Sequence, residues 1–146
     1  MDSFPHRLSV LAFGTSQGAP IRLSNGELLK DSQGAIVLPR VPLAQLQQLG
    51  VKEIIVKNGP AGVLGYSDGK SFQSPAVPVK KVIDTTAAGD SFNGGYLAGR
   101  LNGLSPLASC QYAAALASFV VEHTGAIVTK EQFRSFSGRF NLTTFS

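Results

Sequence analysis

The sequence predicts an α/β domain, and three stretches carry the prediction. Residues 82–101, VIDTTAAGDSFNGGYLAGRL, pass from a β-branched ending through small and hydroxyl residues into the helical spacing of Phe92, Tyr96 and Leu97. Glu53 to Val56 is a run of the kind buried in a parallel sheet, and a Gly-rich bend follows it. Tyr112 to Val121 is apolar on nearly every side, which marks a buried helix. Strands and helices joined by tight turns make a layered α/β architecture.

Taken in order, residues 1–40 form an atypical leader. Short apolar runs (Leu8 to Phe13, Ala35 to Leu38) alternate with turn clusters at 14–18, 24–26 and 31–34, a pattern that fits weak strands or partial disorder. Leu43, Leu46 and Leu49 then recur at helical spacing, with Gly50 as the C-cap. The strand Glu53 to Val56 runs into the bend Lys57-Asn58-Gly59-Pro60-Ala61-Gly62, and a second strand covers Val63 to Tyr66. Asp68-Gly69 predicts a hairpin turn of the primed type. Around it, Gly65 to Ser71 imitates a P-loop but has one residue too few between the glycines, so no phosphate is assigned there. Pro75 and Pro78 imply an irregular or edge passage, which leads to the strand-like Lys81, Val82 and Ile83.

The helix through Leu101 contains Gly94, Gly95 and Gly99, each costing about 1 kcal/mol relative to alanine. That concentration predicts close packing on a neighbouring backbone. Asn102-Gly103 ends the helix, and Ser105 with Pro106 starts the next one. His123 at its end reads as a helix C-terminal partner. Thr129 and Gln132 form a capping-box pattern, so a last helix is expected through Phe136. The tail beyond Gly138 is expected to fray. The division is leader 1–40, main region 41–138 and tail 139–146.

Composition excludes several classes. The thirteen basic residues give a net charge of +4 but are scattered, with only Lys80 and Lys81 adjoining, so a nucleic-acid stripe is not predicted. The single cysteine, Cys110, cannot form an internal disulfide and reads as a small core residue in a reducing cytoplasm. No apolar run approaches the roughly 18 residues of a membrane span, and no secretory signal is recognised.

Chemistry concentrates at 84–90. The first backbone N–H groups of a helix lack intrahelical partners and carry the positive end of the macrodipole. A turn of Ala87, Ala88 and Gly89 leaves them open to an anion such as a phosphate. Asp90 at the mouth of the turn suits a general base that takes the proton of an attacking hydroxyl. On residue types alone it reads equally well as an N-terminal helix aspartate that complements the dipole.

DTTAAGDSFNGGYLA resembles the DTTGAGDSF motif of the ribokinase-like (PfkB) sugar kinases, with Ala87 where most members have glycine. The likeness extends over roughly Leu46 to Phe136. HTGAIV at 123–128, together with the alanine form of the motif, narrows it to members that act on a sugar acid. The resemblance implies a three-layer α/β/α fold of which this chain reads as the C-terminal half. It implies ATP and Mg2+ as cofactors and phosphoryl transfer to a sugar-acid hydroxyl. Asp90 would be the base, and the N–H groups of Ala87, Ala88, Gly89 and Asp90 the anion hole.

It also makes Lys57, Gly59, Gly62 and Gly89 nucleotide-binding candidates, although the bend taken alone reads better as a hairpin turn with a solvent lysine. Ala114 stands where members often carry an asparagine near the adenine, so the base would be held by apolar contact. A monovalent cation held by loops near Asp84, Thr86 and Gly125 is a further implication. The family's Asn-x-x-Glu spacing is not met, because Asn25 and Glu27 are separated by one residue. Besides ATP and the sugar acid, a homo-oligomer is left open. The rival readings are a nucleotide-binding fragment without turnover and a non-enzymatic interaction domain.

Overall fold

The computed structural model describes residues 10–12, 43–48 and 50–145. Expectations for the rest of the leader, including the Asn25 and Glu27 spacing, lie outside the described residues. The chain divides into two compact units. One runs through Pro60 and takes in Leu64–Ser71; the other comprises Ala61–Val63 and Phe72–Ser146.

In the first unit, β1 (Val10–Ala12) pairs in parallel with β2 (Glu53–Lys57), Val10 opposite Ile54 and Ala12 opposite Val56. Ile54, Ile55 and Val56 are all buried. Successive strand residues face opposite sides, so both faces of β2 are covered, as expected for a strand of this composition. The parallel pairing needs a crossover, and α1 (Leu43–Gln48) lies in it. That helix stops at Gly50, whose φ of +80° is left-handed. The Gly50 N–H donates to the Gln47 carbonyl at 2.9 Å and the Val51 N–H to that of Leu46 at 3.1 Å, which is the Schellman pattern.

The strands β3 (Val63–Ser67) and β4 (Lys70–Ser74) extend the sheet in the order β1-β2-β3-β4. Asp68 and Gly69 between them both have positive φ, 50° and 79°, and so form the predicted primed turn. Strand structure ends at Ser74 on this edge, just before Pro75.

In the second unit α2 (Ala88–Leu101) lies against α3 (Pro106–Val121). A methyl group on Gly95 would sit 2.9 Å from the Ala113 Cα, and one on Gly99 would sit 2.8 Å from the Ser109 Oγ. The expected close backbone approach therefore holds at Gly95 and Gly99. It does not hold at Gly94, where nothing lies within 4 Å. Phe92 and Tyr96 on α2 and Cys110 and Tyr112 on α3 are buried. The Ser105 hydroxyl accepts from the Ala108 N–H at 3.2 Å and caps α3.

The helix α4 (Lys130–Arg139) opens on a full capping box. Thr129 Oγ1 accepts from the Gln132 N–H at 3.2 Å, and Gln132 Oε1 accepts from the Thr129 N–H at 2.7 Å. Two expectations fail here. The helix continues three residues beyond Phe136, and the tail does not fray. A 3-10 turn, Leu142–Phe145, brings Phe145 edge-on to Tyr112 at 5.7 Å, while Phe140 lies 5.4 Å from the buried Phe136. Three large apolar side chains in the tail, each half-buried, reach the Tyr112, Ala115 and Phe136 cluster, and each gains part of the about 1.5–3 kcal/mol that full burial would give.

The strand expected at Lys81 to Ile83 is also absent. The backbone there is irregular, and its hydrogen bonds go to the end of α3. The Ile83 and Asp84 N–H groups donate to the Val121 carbonyl at 2.8 and 3.2 Å, and the Lys80 N–H donates to Glu122 Oε1 at 2.6 Å. Ser118 Oγ donates to the Val77 carbonyl at 3.0 Å. Backbone groups engaged in this way are not available to a β ladder.

Candidate active site

Ala87 is the N-cap residue of α2. Its φ of 60° and ψ of 10° are left-handed, and no side chain caps the helix start. An L-residue pays about 1–2 kcal/mol for this conformation and glycine pays almost nothing. That accounts physically for glycine at this point of the motif and marks Ala87 as strained. The Ala88 N–H lies 3.3 Å from the Thr85 carbonyl, a long contact closing the turn, and the Ser91 N–H donates to the Ala87 carbonyl at 2.8 Å as the helix begins. Asp90 is exposed in the first turn of α2. The carboxylate complements the helix dipole and is open to solvent, not turned into the core.

The turn is held from the side by Asp84. Its Oδ1 accepts from the Thr86 N–H at 2.8 Å and its Oδ2 from the Gly125 N–H at 3.0 Å. The structure thus brings Asp84, Thr86 and Gly125 together, although Gly125 is 41 residues away. Hydrogen bonds from Thr86, side chain first and backbone second, and from the Gly125 backbone hold the Asp84 carboxyl below its ordinary value. His123 Nδ1 lies 2.7 Å from the Phe119 carbonyl and the ring is 4.4 Å from that of Phe119, so it closes the end of α3 as expected.

Glu122 and Ser118 escaped the sequence reading. Both fasten the segment leading to Asp84, through partners 42 and 41 residues away. No local spacing signals such pairs.

The remaining candidates are placed as follows. Lys57 ends β2 and is half-buried; Gly59 opens the exposed turn Gly59–Ala61 with φ of 53° and open space around it. Gly62 is buried with φ of 86°, and a methyl group there would lie 2.3 Å from the Ser74 carbonyl oxygen. The protein's own backbone therefore requires glycine at 62. Ala114 is buried in α3. Gln111 and Ala115, on either side of it in sequence, line a cleft of about 380 Å³ with Pro75, Val77 and Pro78. A larger hollow of about 470 Å³, between Val120, Val128 and Phe133, reaches α2 only at Ser91 and includes none of the expected site residues.

Among the described residues no three His, Cys, Asp or Glu side chains converge on a metal position. No helix among them is long and apolar enough to cross a membrane.

Solved structures share this fold over part of their length. The chain aligns with the ribokinase of Thermotoga maritima at 35% identity and a TM-score of 0.56, over 65% of this chain and 33% of that one. It aligns with a putative ribokinase II of E. coli in complex with ATP and Mg2+ at 33% identity and a TM-score of 0.57, over 67% of this chain and 32% of that one. The fold is the ribokinase-like α/β fold. Residues 39–132 match the family described as pfkB family carbohydrate kinase, and the chain belongs to that family. Its relatives include the 2-dehydro-3-deoxygluconokinase of Haemophilus influenzae, 38% identical over 105 residues, or 70% of this chain and 33% of that protein. The E. coli K12 enzyme of the same name is 45% identical over 92 residues, 61% of this chain and 30% of that protein. The chain thus spans about a third of the length of the relatives it matches.

Proposed function

We propose that this chain supplies the nucleotide-binding and catalytic part of an ATP-dependent sugar kinase whose acceptor is a sugar acid, 2-keto-3-deoxygluconate giving its 6-phosphate. The observation that carries the proposal is the turn at the head of α2. It is left-handed at Ala87, lacks a capping side chain, and leaves Asp90 exposed in the first turn. The acceptor follows from the relatives, since two that act on 2-dehydro-3-deoxygluconate by name are 38% and 45% identical to this chain.

ATP with magnesium supplies the transferable phosphoryl group and screens the charge of the leaving diphosphate. Asp90 accepts the proton of the acceptor hydroxyl as its oxygen bonds to the γ-phosphorus and the bond to the β–γ bridging oxygen breaks. The Ala88 N–H is given to the Thr85 carbonyl and so is not part of an open anion hole; the positive end of the α2 dipole at this turn bears the negative charge on the transferred group. Asp is a weak base, with an ordinary pKa of about 3.9. Positioning and charge stabilisation therefore provide most of the acceleration, as a loose transition state allows. Asp84 positions the turn through Thr86 and Gly125 without touching substrate. Base contact falls to the apolar face of α3 around Ala114. Lys57, Gly59 and Gly62 are assigned to the nucleotide by the motif, Gly62 through the shape of the bend. A monovalent cation beside Asp84, Thr86 and Gly125 would further steady the loops. A single buried cysteine suits a reducing cytoplasm.

The test is Asp90→Asn. Turnover should fall to background while ATP affinity, measured by calorimetry, stays within about threefold of the parent; unchanged turnover refutes the assignment. A second reading, a nucleotide-binding fragment without turnover, is favoured by the one-third coverage of the relatives. ATP binding in calorimetry with no phosphorylation of 2-keto-3-deoxygluconate by the same sample selects it.

A further inference from the structure

The aromatic side chains of the tail pack on α3 and α4 and also face open space. Phe140 and Phe145 are both half-buried, and both line the cleft of about 380 Å³ against Pro75, Val77, Gln111 and Ala115. That volume is at the small end of ligand pockets, which run from about 300 to 1,000 Å³. No Asp, Glu, Lys, Arg or His lines the cleft. Proline rings, phenylalanine rings and aliphatic side chains repel a charged group and suit a flat, weakly polar ring. Ser74, also in the lining, is 2% exposed, and its Oγ has no hydrogen-bond partner among the described residues. A buried hydroxyl left in that state is costly, and a ring with a donor or acceptor on its edge satisfies it. Gln111 adds an exposed amide that both donates and accepts.

We propose that this cleft seats the purine base of ATP, with Phe140 and Phe145 as its aromatic wall and Ser74 and Gln111 reading the edge of the base. The cleft adjoins the segments assigned to the nucleotide. The bend at Gly62 backs onto the Ser74 carbonyl, and the Val77 carbonyl is fastened to Ser118 of α3 in the segment that runs on to Asp84. The stretch matching the family ends at residue 132, so the aromatic wall comes from beyond it. That wall is held in place. Asn141 Oδ1 accepts from the Thr144 N–H at 3.0 Å and from Thr144 Oγ1 at 2.9 Å, which fixes the turn Leu142–Phe145 that presents Phe145. The inference deepens the kinase reading and rests on it for the triphosphate, which the uncharged cleft does not hold.

The experiment is calorimetry on the full 146-residue chain with adenosine, magnesium ATP and inorganic tripolyphosphate as probes. Phe145→Ala should weaken adenosine and ATP alike by about tenfold or more and leave tripolyphosphate within about twofold. Ser74→Ala should weaken adenosine by about threefold or more. The unfolding midpoint of the ligand-free Ser74→Ala chain should hold or rise, because the variant removes a hydroxyl that has no partner there. In case a variant misfolds, hydrogen exchange on the unsubstituted chain gives an independent reading: adenosine should protect the amides of 76–77 and 142–145. No adenosine binding, no added protection at those amides, or an equal loss of tripolyphosphate in Phe145→Ala overturns the proposal. Adenosine bound in this cleft without phosphorylation of the sugar acid upholds the base site and counts against the kinase reading. Intact turnover with an ATP affinity indifferent to Phe145→Ala does the reverse.

Discussion

Gly94 and Gly95 are neighbours on one helix, and the same substitution should move stability in opposite directions. Each Gly→Ala change gains about 1 kcal/mol of helix propensity. At Gly94 the new methyl meets nothing within 4 Å, so Gly94→Ala should stabilise the chain by about 1 kcal/mol. At Gly95 it would lie 2.9 Å from the Ala113 Cα and 3.3 Å from Leu116 Cδ2. Carbon atoms prefer about 3.5–4.0 Å, and the first of these obstacles is backbone, which cannot rotate aside. Overpacking of this kind costs about 1–3 kcal/mol. Taking the upper part of that range and subtracting the propensity gain leaves Gly95→Ala about 1–2 kcal/mol less stable than the parent. The two variants then differ by about 2–3 kcal/mol, roughly 30- to 150-fold in the unfolding equilibrium. Urea titration followed by helical circular dichroism at 25 °C measures it, with equal slopes required for the comparison. Equal midpoints for the two variants, or a stabilised Gly95→Ala, would refute the close approach of α2 and α3.

Ala87→Gly should stabilise the chain by about 0.5–1 kcal/mol in the same assay, because relief of left-handed strain outweighs the added freedom of the unfolded glycine. Gly62→Ala should destabilise it with and without ATP, since φ is +86° and the methyl would overlap the Ser74 carbonyl; a variant that loses only ATP binding would point to a ligand-facing role instead. The Asp84 carboxyl has a folded pKa depressed below 3.8. Its stabilising contribution is therefore fully present above that unfolded value and is lost as pH falls through the folded one. The stability gap between the parent and Asp84→Asn should stay flat from neutral pH down to about pH 5 and shrink below 3.8. A gap that widens on acidification would mean that the carboxylate is not held by Thr86 and Gly125.

Much of the local structure was legible because it depends on residues close together in sequence. The Schellman end at Gly50, the primed turn at Asp68-Gly69, the Ser105 cap and the Thr129 to Gln132 box each close within a few residues. The buried β2 run and the apolar α3 were legible from periodicity alone. The candidate site was legible as a motif, 84–90, whose residue types and order survive in any surrounding.

Three things were decided only by the tertiary structure. The tail packs because Phe140, Leu142 and Phe145 find the aromatic cluster of α3 and α4, a partner that polarity of the tail does not reveal. The expected strand at 81–83 gives way to hydrogen bonds with the end of α3, and Gly62 serves a backbone contact with the Ser74 region. The sequence determined which segments curl, turn and stop, since those free energies are set by nearest neighbours along the chain. Which backbone groups are spoken for, and which glycines are crowded, depends on atoms 10 to 42 residues away. Those contacts exist only once the chain has folded back on itself.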